Sequence, residues 1–480
     1  MEYKWTVVTV TTVGVLMSGI DSRIVIIGLP TVATALNADA EQAIWFTQSY
    51  VLASTIATVL FGRITDIVGR IKIYNMGFIV FTIGSALTSL AQDPLQVIVF
   101  RGIQGVGSAA LFTNSIVMIV DSTPRNQLGL LLGMNQISFR FGAMAGLTIS
   151  GVILSLLDWR ALFYINVPIG IFGTVWCRWR LKEIAKVERG TPVDWVGFGM
   201  VTISLCTFLL ALTYGAYGLT TESVVITLLA VSALTLAIFL RYEMRFKHPM
   251  VDLSLFRIRE FTCGVTALLV NNMAWGAFLL LLSLYLQLVA GYSPFEAGIR
   301  VIPFDLAFLA LGPLSGRLSD RFGALPFTTT GIALTSVGLY LFSLVNATTA
   351  YPTLVIYMMV IGAGTGLFLS PNTSEVMGVV PSQRRGIASG VRALLANVGA
   401  TVSLNITILL MITVAPYALV TQVISSTVTS VAPASTQIFG EALQKTYLWL
   451  AAINATAIIP SILTGSRTPK GEAPIAILNE

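Results

Sequence analysis

Long apolar runs alternate with short polar stretches along this chain, and within each run the apolar residues are continuous rather than spaced every second position. The runs have about the 20 residues that an α-helix needs to cross roughly 30 Å of hydrocarbon. They predict fourteen spans, near 6–30, 43–62, 73–91, 95–120, 128–156, 161–179, 195–215, 222–242, 261–287, 295–316, 325–345, 351–372, 385–412 and 446–466. Backbone groups in lipid must be satisfied within the element, which leaves helices or closed barrels. Barrel strands alternate lipid-facing with lumen-facing residues, so the continuous runs select helices. Longer polar stretches occur at 178–194 and 241–260, both basic, and at roughly 413–445, rich in Ser, Thr and Val.

Composition supports an all-α membrane protein. Apolar residues make up 55% of the chain and charged residues 10%, against about 25% charged in a soluble domain. The first apolar run starts close to Met1 and is long enough to remain a span, so no cleavable signal is expected. Cys177, Cys206 and Cys263 show no metal or disulfide spacing, and the single histidine, His248, lies in a polar loop. Neither a zinc centre nor a histidine-based catalytic triad can be assembled, so no enzyme activity and no cofactor are expected. With the N-terminus in the cytoplasm, twenty-two of the 28 Lys and Arg residues fall on the cytoplasmic side, counting Arg392 near a span end. Arg160 and Lys445 fall outside, and Arg23, Arg101, Arg140 and Arg300 fall within spans. This asymmetry follows the positive-inside rule. The basic balance therefore reports topology, not nucleic-acid binding, and both termini are expected in the cytoplasm.

One pattern occurs twice. Gly62-Arg63-Ile64-Thr65-Asp66-Ile67-Val68-Gly69-Arg70 returns as Gly316-Arg317-Leu318-Ser319-Asp320-Arg321-Phe322-Gly323. Each copy reads as a short charged loop, joining spans 2–3 and spans 10–11. Two such copies imply two similar helical bundles. Matching their positions gives a first bundle over 1–180, a linker with an inserted hairpin (spans 7 and 8) over 181–260, and a second bundle over 261–480. Gly permits close helix approach, and Asp near a helix terminus can pair with Arg or with the helix dipole. Gly62, Asp66, Gly69, Arg70, Gly316, Asp320, Arg321 and Gly323 are the candidate conformational switch.

With this loop in both halves, the chain resembles the major facilitator superfamily, and more narrowly its fourteen-span drug:proton antiporter family. The narrower likeness is carried by Asp21-Ser22-Arg23 through Gly28-Leu29-Pro30, by Trp45-Phe46-Thr47-Gln48-Ser49-Tyr50, by Arg101-Gly102-Ile103-Gln104-Gly105, by Asp158-Trp159-Arg160 through Asn166-Val167-Pro168, and by Tyr285-Leu286-Gln287. The resemblance implies the major facilitator fold, with two six-helix bundles and the inserted hairpin. It also implies proton coupling by the span 1 acid and the span 4 arginine, here Asp21 and Arg101. The chain departs from the family pattern at Arg23 and Ile26, and in span 5, where Leu147 stands in place of proline and Ser150 in place of a glycine. Gly142, Gly146, Ser150 and Gly151 still offer small residues for tight helix packing.

A charge at the bilayer centre costs at least about 2.5–3.5 kcal/mol on insertion scales and persists when it is paired or lines a cavity. Asp21 and Arg101 lie at similar depth and are plausible partners. A carboxylate beside a guanidinium releases its proton readily, and one freed from that partner in a dry site retains it; separating the pair would thus couple protons to conformation. A static buried salt bridge is the alternative. Asp305, with no charged residue within one turn on its own helix, is a second protonation site, a counter-charge for a cation, or a neutral hydrogen-bonded acid. Four intramembrane arginines against two aspartates leave positive charge over, which favours an anionic or zwitterionic cargo. The candidate cavity comprises Arg23, Tyr50, Asn114, Asn135, Gln136, Arg140, Asn271, Asn272, Trp275, Asp305, Asn372 and Asn397, whose amides could equally hold helices together.

The expected function is secondary active transport in the cell membrane: proton-coupled antiport exporting small amphipathic or drug-like compounds by alternating access. The alternative is export of anionic metabolites, lipids or siderophores with different or no proton coupling. Expected partners are a small-molecule substrate, protons and the bilayer, with the protein a monomer.

Overall fold

The computed structural model describes residues 3–183, 192–246, 249–292, 294–416 and 433–465. Among these residues fourteen helices are long and apolar enough to cross a membrane: span 1 (Tyr3–Val25), span 2 (Glu41–Val68), span 3 (Arg70–Ser89), span 4 (Pro94–Ser122), span 5 (Leu128–Leu156), span 6 (Ala161–Arg180), span 7 (Trp195–Ala216), span 8 (Glu222–Glu243), span 9 (Arg259–Val289), span 10 (Glu296–Phe322), span 11 (Leu325–Phe342), span 12 (Tyr351–Gly378), span 13 (Ser382–Ile412) and span 14 (Gln437–Leu463). No strand occurs among the described residues. His248 lies outside them, as do 184–191 of the first basic stretch and 417–432 of the Ser/Thr-rich segment.

The repeated motif corrects the sequence expectation. Spans 2 and 10 do not stop at the motif's first charged residue. The helices continue through Arg63 and Asp66 to Val68, and through Arg317 and Asp320 to Phe322. The expected loops shrink to Gly69 in the first copy and to Gly323 and Ala324 in the second. Gly69 (φ 113°) and Gly323 (φ 85°) occupy backbone conformations open mainly to glycine. An apolar-run criterion ends the span too early because the motif's carboxylates are satisfied by backbone N–H groups of the opposite bundle. Span 14 likewise begins before its expected start at 446, as a helix over Pro433–Thr456.

Spans 1–6 pack mainly on one another, as do spans 9–14. Small residues set the closest approaches. Gly142 and Gly146 of span 5 lie against the backbone of Leu16 and Ile20 in span 1, and Gly19 of span 1 lies against Phe139. Ser150 is buried and Gly151 partly so. Gly77, Gly84 and Gly107 bring spans 3 and 4 together, and Gly331, Gly338 and Gly364 do the same for spans 11 and 12. In the inserted hairpin, Ser204 and Ser232 exchange bonds, each hydroxyl donating to the other's carbonyl at 3.1 and 2.9 Å. Span 7 packs on spans 2 and 13. Span 8 presents Ile226, Leu234 and Ile238 outward, as a lipid-facing surface requires.

Candidate functional site

The two bundles meet through helix ends. The hydroxyl of Tyr3 donates to Lys182 O, and Glu183 accepts from the N–H of Ile71, so the N-terminus, the first motif and the basic stretch after span 6 share one end of the molecule, here termed the basic end. There Asp66 accepts from the backbone N–H groups of Gly386 (3.2 Å) and Ile387 (3.1 Å), the second and third residues of helix Arg385–Ile412 in the other bundle. Asp320 returns the arrangement, accepting from Gly129 (2.9 Å) and Leu130 (3.2 Å), the second and third residues of span 5. A carboxylate at a helix N-terminus satisfies orphan donors and faces the positive end of the dipole. The first glycine of each motif makes this approach possible: Gly62 lies against Gly386 and Gly390, and Gly316 against Gly129.

The two latches differ in charge. Arg70 pairs with Asp66 (3.2 Å) and Asp121 (2.6 Å) and donates to Ser382 O across the seam (2.8 Å), while Arg385 also pairs with Asp121 (2.8 Å). Around Asp320 the corresponding neighbour is uncharged: Ala324 stands where Arg70 would be, and Arg321 is exposed. Ser370 and Ser389 add hydrogen bonds across the seam, to Gly129 O (2.7 Å) and Thr113 O (2.9 Å). The bundles are therefore locked together at the basic end.

A second network lies wholly inside the first bundle. Asp21 Oδ2 accepts from Arg101 Nη1 at 2.8 Å, and Asp21 Oδ1 accepts from Gln104 Nε2 (2.8 Å) and Asn166 Nδ2 (3.2 Å). Gln104 and Asn166 also donate to Ser85 Oγ, which donates to Phe163 O. Arg101 Nε donates to Phe46 O, and its guanidinium lies 4.4 Å from the Tyr50 ring centroid. Asp21 is fully buried and Arg101 is 3% exposed, so spans 1, 3, 4 and 6 converge on one carboxylate. Sequence reasoning paired Asp21 with Arg101 but did not single out Ser85, Gln104 or Asn166. Gln104 carried a signal, because it lies three residues from Arg101 on the same helix face. Asn166 lies in the Asn166-Val167-Pro168 segment that carries the resemblance, but no spacing in the sequence pointed it at Asp21 in another span.

The third cluster joins the bundles near mid-span. Asp305 of span 10 lies 3.5 Å from Arg140 of span 5, both buried. Asp305 has no charged neighbour on its own helix, and the structure supplies one from the opposite bundle. Arg23 of span 1 is within electrostatic range of the same carboxylate and of Arg140. The Arg140 guanidinium is surrounded by the rings of Phe308 (4.5 Å), Trp275 (5.0 Å) and Phe304 (5.3 Å). Trp275 ends helix Arg259–Trp275, and the chain resumes as a helix at Phe278. Ser403 accepts from the N–H of Ala277 at this break (2.9 Å). Such interruptions are tolerated where neighbouring groups re-satisfy the backbone.

The remaining cavity candidates are dispersed. Asn271 donates to Asn454 (2.9 Å), Asn372 to Gly264 O (3.0 Å) and Asn272 to Ala396 O (3.4 Å), contacts that tie helices of the second bundle together. Asn114 donates to Ala110 O on its own helix, and Tyr50 to Ser108. Asn135 and Gln136 are buried, and Asn397 partly so. One arginine must be moved from the cytoplasmic count: Arg392 is 2% exposed within span 13 and donates to Thr373 (2.5 Å), with no carboxylate in ion-pair range among the described residues. Arg300 lies 3.9 Å from the Tyr292 ring and 4.9 Å from Tyr351.

Residues 11–404 match the family model described as Major Facilitator Superfamily. The riboflavin transporter RibZ of Clostridioides difficile is 30% identical over 397 residues, covering 83% of this chain and 86% of that protein. Multidrug resistance protein 3 of Bacillus subtilis is 28% identical, covering 82% and 77%. Among solved structures, the proton:xylose symporter XylE aligns with a TM-score of 0.64 at 15% identity, over 95% of this chain and 94% of its own. The human organic anion transporter MFSD10 aligns with a TM-score of 0.64 at 13% identity, over 96% and 99%. At these identities the structural likenesses attest a shared fold.

Proposed function

Since the chain belongs to the major facilitator superfamily, and is thus a multi-pass membrane transporter rather than an enzyme, we propose that it is a proton-coupled antiporter that exports small amphipathic or drug-like compounds. The observation that carries this reading is the Asp21 network. A fully buried carboxylate is held by a guanidinium and two amides drawn from two other helices, spans 4 and 6. Buried ion pairs are weak evidence for stability, because desolvation offsets much of the attraction, and intramembrane acids mark proton paths by default. Motion that parts Asp21 from Arg101 lets the acid take a proton, and re-forming the pair expels it. Similarity to multidrug resistance proteins supports a drug-like cargo.

In this scheme the basic end faces the cytoplasm of a cell bounded by this membrane, and the latched seam closes the cytoplasmic side. Release of both latches opens it, with the two bundles rocking about the central cluster. One proton moving down about 100 mV supplies about 2.3 kcal/mol, and 1.4 kcal/mol is a factor of ten, so one proton sustains roughly a 50-fold gradient of a neutral cargo.

Export of anionic compounds is the second reading, favoured by two arginines, Arg140 in contact and Arg23 at longer range, around the single carboxylate of Asp305. Substrate-induced proton release from detergent-purified protein, screened over cationic, neutral and anionic compounds, tests both. Antiport requires proton release on binding. Transported compounds that bind without releasing protons, and whose flux ignores an imposed pH gradient, rule it out.

A further inference from the structure

The geometry points to a binding site for the acidic group of an aromatic anion at the seam of spans 1, 5, 9 and 10, where that group displaces Asp305 from Arg140. This rests on the transporter reading above and names its cargo class.

Three observations converge on it. The first is charge. Arg140 lies 3.5 Å from the carboxylate of Asp305, both buried, and the charge of Arg23 acts on the same carboxylate from farther off. A monoanionic cargo balances the cluster, whereas a cation raises its surplus. The second is the quality of the ion pair. At 3.5 Å Asp305 Oδ1 makes no well-formed hydrogen bond to Arg140, and that oxygen is buried without a partner. Arginine binds carboxylates best through two parallel N–H bonds at about 2.7–2.9 Å, and at 3.5 Å Arg140 falls short of that geometry with its internal partner. The indole N–H of Trp275, 5.0 Å from the same guanidinium to its ring, is a further buried donor with no acceptor. The site thus holds an unpartnered indole N–H beside a guanidinium poorly matched to its carboxylate, and its unpartnered acceptor, Asp305 Oδ1, belongs to the group that the cargo displaces.

The third observation is shape. Phe308, Phe304 and Trp275 surround the Arg140 head with aromatic rings, a lining suited to a flat apolar body attached to the acidic group. Arg140 comes from the first bundle, while Asp305 and all three rings come from the second. Cargo inserted between Arg140 and Asp305 therefore parts the two bundles at the point where they are charge-linked, which joins recognition to movement.

The test uses the full-length protein in detergent and three naphthalene probes of nearly equal shape: 2-naphthoate, 2-naphthamide and 2-naphthylmethylammonium, titrated by calorimetry. The naphthoate is expected to bind at least tenfold more tightly than either other probe. Arg140→Gln should abolish that preference, while Asp305→Asn, which removes the internal competitor, should tighten naphthoate binding severalfold. Equal affinities, tightest binding by the ammonium probe, weaker naphthoate binding in Asp305→Asn, or binding of no probe would each overturn the proposal. The selectivity of the unmodified protein and the Asp305→Asn result stand even if Arg140→Gln fails to fold. A protein that favours the ammonium probe yet releases protons on binding it would refute this site while leaving the antiport reading intact.

Discussion

Asp66 and Asp320 hold equivalent stations in opposite bundles, each accepting from the second and third backbone N–H of a helix that belongs to the other. Loss of an N-terminal cap costs about 0.5–2 kcal/mol, which is roughly a two- to thirtyfold change in an equilibrium. Asp66→Ala is therefore expected to shift the protein toward opening at the basic end, and Asp320→Ala less so, because of the two only Asp66 engages an arginine among the described residues. Spin labels at the exposed positions Val68 and Gln383, in a background without Cys177, Cys206 and Cys263, report the separation. Unchanged distance distributions in Asp66→Ala would contradict the latch.

Breaking one partner of a buried ion pair costs about 3–5 kcal/mol. Asp21→Asn should therefore lower the melting temperature by several degrees and abolish proton-driven efflux while cargo still binds. Adding Arg101→Gln should recover part of the melting temperature and none of the efflux. Efflux in the double variant that still follows an imposed pH gradient would remove Asp21 from coupling.

Gly146 faces the backbone of Ile20 with no room for a side chain. Gly146→Val must push spans 1 and 5 apart, at about 1–3 kcal/mol for overpacking. A lower melting temperature is expected, together with impaired transport, because Asp21 lies one residue beyond Ile20. Wild-type values for both would show that this contact tolerates bulk.

Arg392 is a buried guanidinium with a hydroxyl partner and no carboxylate in reach among the described residues. A buried charge without compensation is costly, so Arg392→Met, which keeps the length and loses the charge, is expected to raise the melting temperature. A fall instead would mean that Arg392 is compensated by groups beyond Thr373.

How much of this was legible beforehand follows from the physics of each signal. Hydrophobic length alone marks the spans, since lipid permits few alternatives, and Leu128–Leu156 begins and ends where its apolar run does. The depth of Asp21 and Arg101 along antiparallel helices suffices to suggest their pairing. Arg140 and Asp305 resisted the same reasoning because their partnership crosses from one bundle to the other, and no local spacing encodes that register. The motif was legible as a repeat but not as helix, since Asp66 and Asp320 find their partners in backbone amides that any sequence possesses. Asn166 reaches Asp21 from another span, and no local spacing encodes that contact either.

Spans 5 and 10 are fastened twice, by Asp320 on the first turn of span 5 and by Asp305 on Arg140 farther along. Eleven residues separate Gly129 from Arg140, about 17 Å of α-helix. Two rods pinned at two points cannot scissor. If the Asp320 pin lets go first, the Arg140–Asp305 pair becomes a fulcrum and the rods swing as levers about their middle; if cargo withdraws that pair first, they hinge at the Asp320 end instead. The order in which the pins come out would thus decide where this machine pivots.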